Sequence, residues 1–156
     1  MEEKGKTMKK RTTAVLLAGA ALLLFAGCGG REKAKNAAEP LHYQDGSYTA
    51  EAIPEEIGGV IRLHITVTGG AITKVQMENL DRDGNEKGED YGKASEGATN
   101  PGLYKIAQAS VAGTAQLPQM LIDAQNPAGI DAVSGATLSR DAFVRAAEEA
   151  LKDAKK

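Results

Sequence analysis

The chain has 156 residues, enough for one ordinary domain and too few for two. Its formal net charge is -2, but residues 1–27 hold five Lys/Arg against two Asp/Glu, which leaves fourteen against nineteen in residues 28–156. An acidic body with no Trp and only two Phe offers neither a phosphate-neutralising patch nor a base-stacking surface, so nucleic acid is excluded as a partner.

Lys4, Lys6, Lys9, Lys10 and Arg11 precede an uncharged run of sixteen residues, 12–27, which ends at Cys28, the sole cysteine. Basic, apolar and small residues in that order predict a signal peptide over 1–27. The run is short for a bilayer span, which takes roughly 20 apolar residues. The stretch Leu24-Phe25-Ala26-Gly27-Cys28 resembles the lipobox of bacterial lipoproteins, with Phe25 where Leu is more usual. That resemblance implies that Cys28 is lipidated, becomes the mature N-terminus and holds the chain to a lipid bilayer. Acyl chains contribute about 0.8 kcal/mol per buried CH2. With its one thiol used in this way, the chain has no disulfide and no thiol redox chemistry.

Residues 28–42 are polar and rich in Gly and Ala and predict a flexible tether, with the folded domain expected over 43–153. Asp45-Gly46 opens a first strand. From Val60 to Val67, Ile61, Leu63, Ile65 and Val67 alternate with Arg62, His64 and Thr66, the period of a half-buried strand. Gly69-Gly70 supplies the two left-handed residues of a tight hairpin, and Ala71, Val75 and Met77 alternate against Lys74, Gln76 and Glu78 on the returning strand. Residues 79–100 are acidic and Gly-rich and predict a long solvated loop. A calcium loop counted from Asp81 fails there, because Glu86 and Gly92 stand where it needs Gly and a bidentate acid.

Three helices follow. The first, from Pro101, is expected to pack Leu103, Ile106 and Ala107, and the second has Pro118 in its first turn and Met120, Leu121 and Ile122 partly buried. The third carries Phe143, Ala147, Ala150 and Leu151 on one side and Arg140, Glu148, Lys152 and Lys155 facing out. The fold class is α+β, a small antiparallel sheet built on a central hairpin over about 57–78 and covered by C-terminal helices.

The chemistry concentrates in Asp131-Ala132-Val133-Ser134-Gly135-Ala136-Thr137. Gly135 and Ala136 let another body approach the backbone, and Thr137 brings a hydroxyl to the start of the third helix. Unpaired N–H groups there favour a phosphate. On these residues alone, Thr137 or Ser139 is either a helix N-cap or the neighbour of a phosphoryl group. A near-copy, Ser95-Glu96-Gly97-Ala98-Thr99, is broken by Glu96 and lacks the acid three places ahead.

The heptapeptide, the Asp45-Gly46 opening, the Gly69–Val75 hairpin and the Leu117–Gln125 segment together resemble the FMN-binding domain family over about Asp45 to Leu151. That family includes flavin-bearing subunits of bacterial ion-pumping oxidoreductases and domains of extracellular electron-transfer lipoproteins. The resemblance implies FMN as cofactor, esterified through its phosphate to Thr137 by a separate flavin transferase that uses FAD. It also implies a cradle of Ser134, Gly135 and Ala136, with Asp131 as the acid that opens the motif. The family often carries Glu-Thr-Pro-Gly where this chain has Thr99-Asn100-Pro101-Gly102, so no mid-domain residue is assigned to the flavin.

No G-x-G-x-x-G follows a strand, so a nicotinamide fold is not expected. His42 and His64 lack Cys or acid neighbours at metal-ligand spacing, and no metal site is expected. The leading expectation is an extracytoplasmic, membrane-anchored electron-transfer flavoprotein rather than an enzyme, placed between a membrane-bound redox donor and an extracytoplasmic acceptor. The alternatives are a small flavin-dependent reductase with its own substrate and a lipoprotein that binds its ligand noncovalently.

Overall fold

The computed structural model describes residues 38–155. The expected signal peptide over 1–27, Cys28 and the expected tether as far as residue 37 lie outside the described residues. Three strands, β1 (Gly46–Ala52), β2 (Val60–Thr68) and β3 (Ala71–Leu80), form an antiparallel sheet in the order β1-β2-β3. Helices α1 (Pro101–Thr114), α2 (Leu117–Ala124) and α3 (Thr137–Leu151) follow, with a single 3-10 turn at Pro127–Gly129. The class is the expected α+β. Among the described residues no helix is long and apolar enough to cross a membrane.

The alternation along β2 turns Ile61, Leu63, Ile65 and Val67 inward, all essentially without solvent contact. The opposite face is open and polar, where Arg62 bridges Glu51 on β1 and Glu78 on β3 at 3.1 and 2.6 Å. Gly69 and Gly70 turn the hairpin at φ +66° and +82°. The Asp45 carboxylate accepts hydrogen bonds from both of their N–H groups, at 2.9 and 2.8 Å. Asp45, immediately ahead of β1, therefore braces the β2–β3 hairpin.

Two expectations for the sheet and its approach are corrected. The inward residue at the start of β3 is Ile72, not Ala71, because the register shifts between Thr66 and Val67: Val67 pairs with Ile72 and Thr66 with Lys74. The extra residue of that bulge, Thr73, reverses the pleat over one position. Order also begins before Tyr43. Asn126 donates to the Glu39 carbonyl, Leu41 N–H to Gln125, and Tyr43 N–H to Gly70. The last residues of the tether segment are thus docked onto the domain, and Tyr43 is fully buried.

Helix α3 lies across β1 and β2, and α2 covers β3. Phe143, Ala147, Ala150 and Leu151 of α3 enter the core as expected, joined by Ala142 and Ala146. Small residues at these places bring the helix axis close to the sheet, and Phe143 fills the space that remains. Helix α1 differs, because it packs on α3 rather than spreading over the sheet.

The loop between β3 and α1 has no regular structure but is not wholly solvated. The Asp81 carboxylate accepts from the N–H groups of Asp83 and Asn85 at 2.9 Å, and Tyr104 and Gln108 of α1 donate to carbonyls of Glu89, Gly88 and Tyr91. Those amide donors, Asn85 first, hold the Asp81 carboxyl below its ordinary 3.8, against an opposing push from desolvation. A depressed carboxyl contributes stability that is complete above its unfolded value and is lost as pH falls through its folded one. The Asn85 amide resonance, which reports the Asp81 carboxyl, is therefore expected to titrate with a midpoint below the ordinary carboxyl value, and in Asp81→Asn that titration should vanish. A midpoint above the ordinary carboxyl value would contradict this account of the turn.

Candidate functional site

Thr137 is the first residue of α3, and the residue ahead of it, Ala136, occupies the N-cap position. Gly135 sits at φ +78°, a left-handed conformation natural to Gly, and this turns the chain sharply into the helix. The cap therefore falls on a residue with no side-chain oxygen, and no side chain caps α3. Neither Thr137 nor Ser139 has the capping role that sequence alone allowed. The first-turn N–H groups have no side-chain partner among the described residues, and the exposed Thr137 hydroxyl makes no hydrogen bond among them either.

Arg140 was expected to face out. Instead it is half-buried and donates two hydrogen bonds to the Ile130 carbonyl, while pairing with Asp141 at 3.0 Å. This clamp ties the segment that carries the heptapeptide to the first turn of α3.

Gly135, Ala136 and Thr137 form one wall of a cleft of about 640 Å³. The facing wall is α1, with Leu103, Ile106, Ala107 and Ser110, and Ile57, Tyr91 and Gly92 close the end. Leu103 and Ile106 are 64% and 66% exposed, which corrects their expected place in the core. Their helical spacing was legible, but periodicity reports an apolar stripe and not what covers it. Ser134 and Asp131 are exposed and do not line the cleft. Leu138 and Ser139 do line it, and nothing in their sequence context marks them beyond nearness to Thr137.

The two walls meet at Gly113. A Cβ there would lie 2.9 Å from the Ala136 Cβ and 3.0 Å from a Val133 methyl. In Gly113→Val, overpacking of about 1–3 kcal/mol outweighs the few tenths gained in helix propensity. Urea unfolding should show that loss, and the Ala136–Thr137 turn should be pushed from α1. An unchanged midpoint would mean that the walls are not in tight contact.

Thr99, in the near-copy, is otherwise engaged. Its hydroxyl accepts from Ala94 N–H at 3.1 Å, and the neighbouring Asn100 caps α1 through Gly102 and Leu103 N–H. A cavity of about 450 Å³ on the open sheet face is lined by Thr49, Arg62, His64, Gln76 and Glu78. Several of these polar groups already satisfy one another, as in the Thr49–His64 contact at 2.9 Å.

An uncapped helix start, a hydroxyl without a partner and a long apolar wall suit a ligand with a phosphate at one end and a flat ring system at the other. The FMN-binding domain model of known families matches residues 56–152, which includes all three features. The chain belongs to the FMN-binding domain family. It is a flavin-binding protein, and FMN is its cofactor. No curated protein matches it. Among solved structures, it is similar to the CPE2226 protein from Clostridium perfringens, with 30% identity and a TM-score of 0.55 over 72% of this chain and 88% of that one. The cleft beside Thr137 fits such a cofactor in kind: an uncapped helix start suits a phosphate, and the exposed Leu103 and Ile106 suit a flat ring.

Proposed function

We propose that the chain is an extracytoplasmic electron-transfer flavoprotein that holds FMN covalently on Thr137. We further propose that it is anchored to a membrane through lipidated Cys28 and passes electrons from a membrane-bound redox donor to an extracytoplasmic acceptor. The observation that supports this most is the Thr137 hydroxyl, free of any capping bond and set at the edge of an apolar cleft.

The link is an ester exchange. Thr137 Oγ1 loses its proton and bonds to the FMN-side phosphorus of FAD, the pyrophosphate bond breaks, and AMP leaves. A separate flavin transferase carries out that step. The α3 first-turn N–H groups would hold the remaining phosphate charge, a stabilisation of about 0.3–1 kcal/mol at an exposed helix end. Leu103 and Ile106, both exposed on the cleft wall, would pack against the ring and exclude water from it there. Bound FMN supplies one- and two-electron chemistry, while the protein supplies position and electrostatics. Outside the cytoplasm a dissociated cofactor is lost by diffusion, and a covalent tether keeps it at high local concentration.

Co-production with a flavin transferase should give a chain that stays fluorescent through denaturing electrophoresis. A chain that binds flavin when folded and releases all of it on denaturation would contradict the covalent reading.

A further inference from the structure

Lys87 is the one charged residue buried among the described residues, with 7% of its surface exposed. Its backbone is fixed by a 2.8 Å bond from its N–H to the Asn79 carbonyl, beside the Leu80–Glu86 bridge. Its ammonium lies 5.2 Å from the centre of the Tyr91 ring, and it makes no ion pair among the described residues. Asn79, also 7% exposed, carries a side-chain oxygen with no hydrogen-bond partner.

Burying an ammonium costs several kcal/mol, and a cation–π contact returns about 0.5–2. Asp81 acts on Lys87 only at longer range, and burial, the larger influence, pushes its pKa down. As a purely structural residue, Lys87 would be better replaced by an apolar side chain of its own length. Its position offers another explanation. Lys87 and Tyr91 line a cavity of about 320 Å³ with Asp81, Arg82 and Asp83. Ile57 and Tyr91 belong both to this cavity and to the flavin cleft. Arg82 is occupied, donating to the carbonyls of Ile57 and Glu56. Lys87 is thus the cation of this pocket that is not engaged in a hydrogen bond or ion pair.

We propose that Lys87 is a positioning residue for charge, the fixed cation that offsets the negative charge gained by flavin in the adjoining cleft on reduction, and so raises its midpoint potential. The inference rests on the reading of the cleft as the flavin site. Two-electron reduction by an external donor brings two electrons and one proton to the ring and leaves one net negative charge. The proton taken up by the ring comes from solvent and not from Lys87.

The test is the midpoint potential of the flavin-loaded protein and of Lys87→Met, measured by dye equilibration at pH 7. Lys87→Met is expected to load flavin and to lose tenfold or more in the reduction equilibrium, a fall of about 30 mV for a two-electron couple. Equal potentials would overturn the inference while leaving the flavin site intact. Should Lys87→Met not fold or load, the same coupling is read in the wild type by linkage. The Lys87 Nζ titration, followed by 15N NMR, must have a higher midpoint in reduced than in oxidised protein, and equal midpoints overturn the inference. A wild-type chain that takes no flavin at all defeats the functional reading and this inference together.

Discussion

Replacing Thr137 with Ala should abolish flavin attachment completely while leaving the fold as stable as before. The first part follows from chemistry, since Ala has no oxygen to esterify. The second separates this reading from the ordinary role of a Thr at a helix start. A capping Thr contributes about 1 kcal/mol, which Ala would forfeit. Here the cap position is Ala136, Thr137 makes no capping bond, and the side chain is exposed. Its removal should therefore shift urea stability by no more than about 0.5 kcal/mol in either direction. Thr137→Ser keeps the hydroxyl and should retain attachment, and Thr99→Ala should not alter it. Attachment that survives in Thr137→Ala would contradict the account, whatever the stability.

The second large effect lies in the core that carries the site. Phe143 is fully buried in α3, two turns after Thr137, among Ile61, Leu63, Leu121 and the other core residues. Phe143→Ala removes the aromatic ring where the small α3 residues leave nothing of comparable size to fill the space. Truncations of this kind cost about 3–5 kcal/mol. A domain of this size has about 5–15 kcal/mol in total, so about a fifth or more of the stability would be lost. The denaturant midpoint should fall with the slope unchanged. Because α3 brings Thr137 to the cleft, attachment should fall at growth temperature and recover in the cold. A loss below about 1 kcal/mol would mean that the α3–sheet contact is looser than its burial implies.

The most readable parts were those in which local chemistry and tertiary packing agree. Ile61 to Val67 alternate without interruption, Gly69-Gly70 fits only a tight turn, and the α+β layering follows from strands ahead of helices. Ile72 was hidden because a bulge changes the pleat without changing any residue type. Leu103 and Ile106 were placed in the core because an apolar helix stripe looks the same against a sheet as along a cofactor cleft. The acidic composition around Lys87 announced solvent, and only the fold puts that ammonium under Tyr91. At the heptapeptide, the sequence located Thr137 but not the reason for its free hydroxyl. That reason is Gly135, whose left-handed backbone moves the cap onto Ala136.

The central claim, that FMN is esterified to Thr137, is tested most directly by mass analysis of tryptic peptides from protein made with a flavin transferase. Cleavage after Lys93, Lys105 and Arg140 places Thr99 in peptide 94–105 and Thr137 in peptide 106–140. The account predicts one FMN less one water on 106–140, with fragmentation assigning it to Thr137 rather than to Thr114, whose buried hydroxyl is bonded to the Ser110 carbonyl. The same mass on 94–105, or no added mass on either peptide from protein that binds flavin, would contradict it.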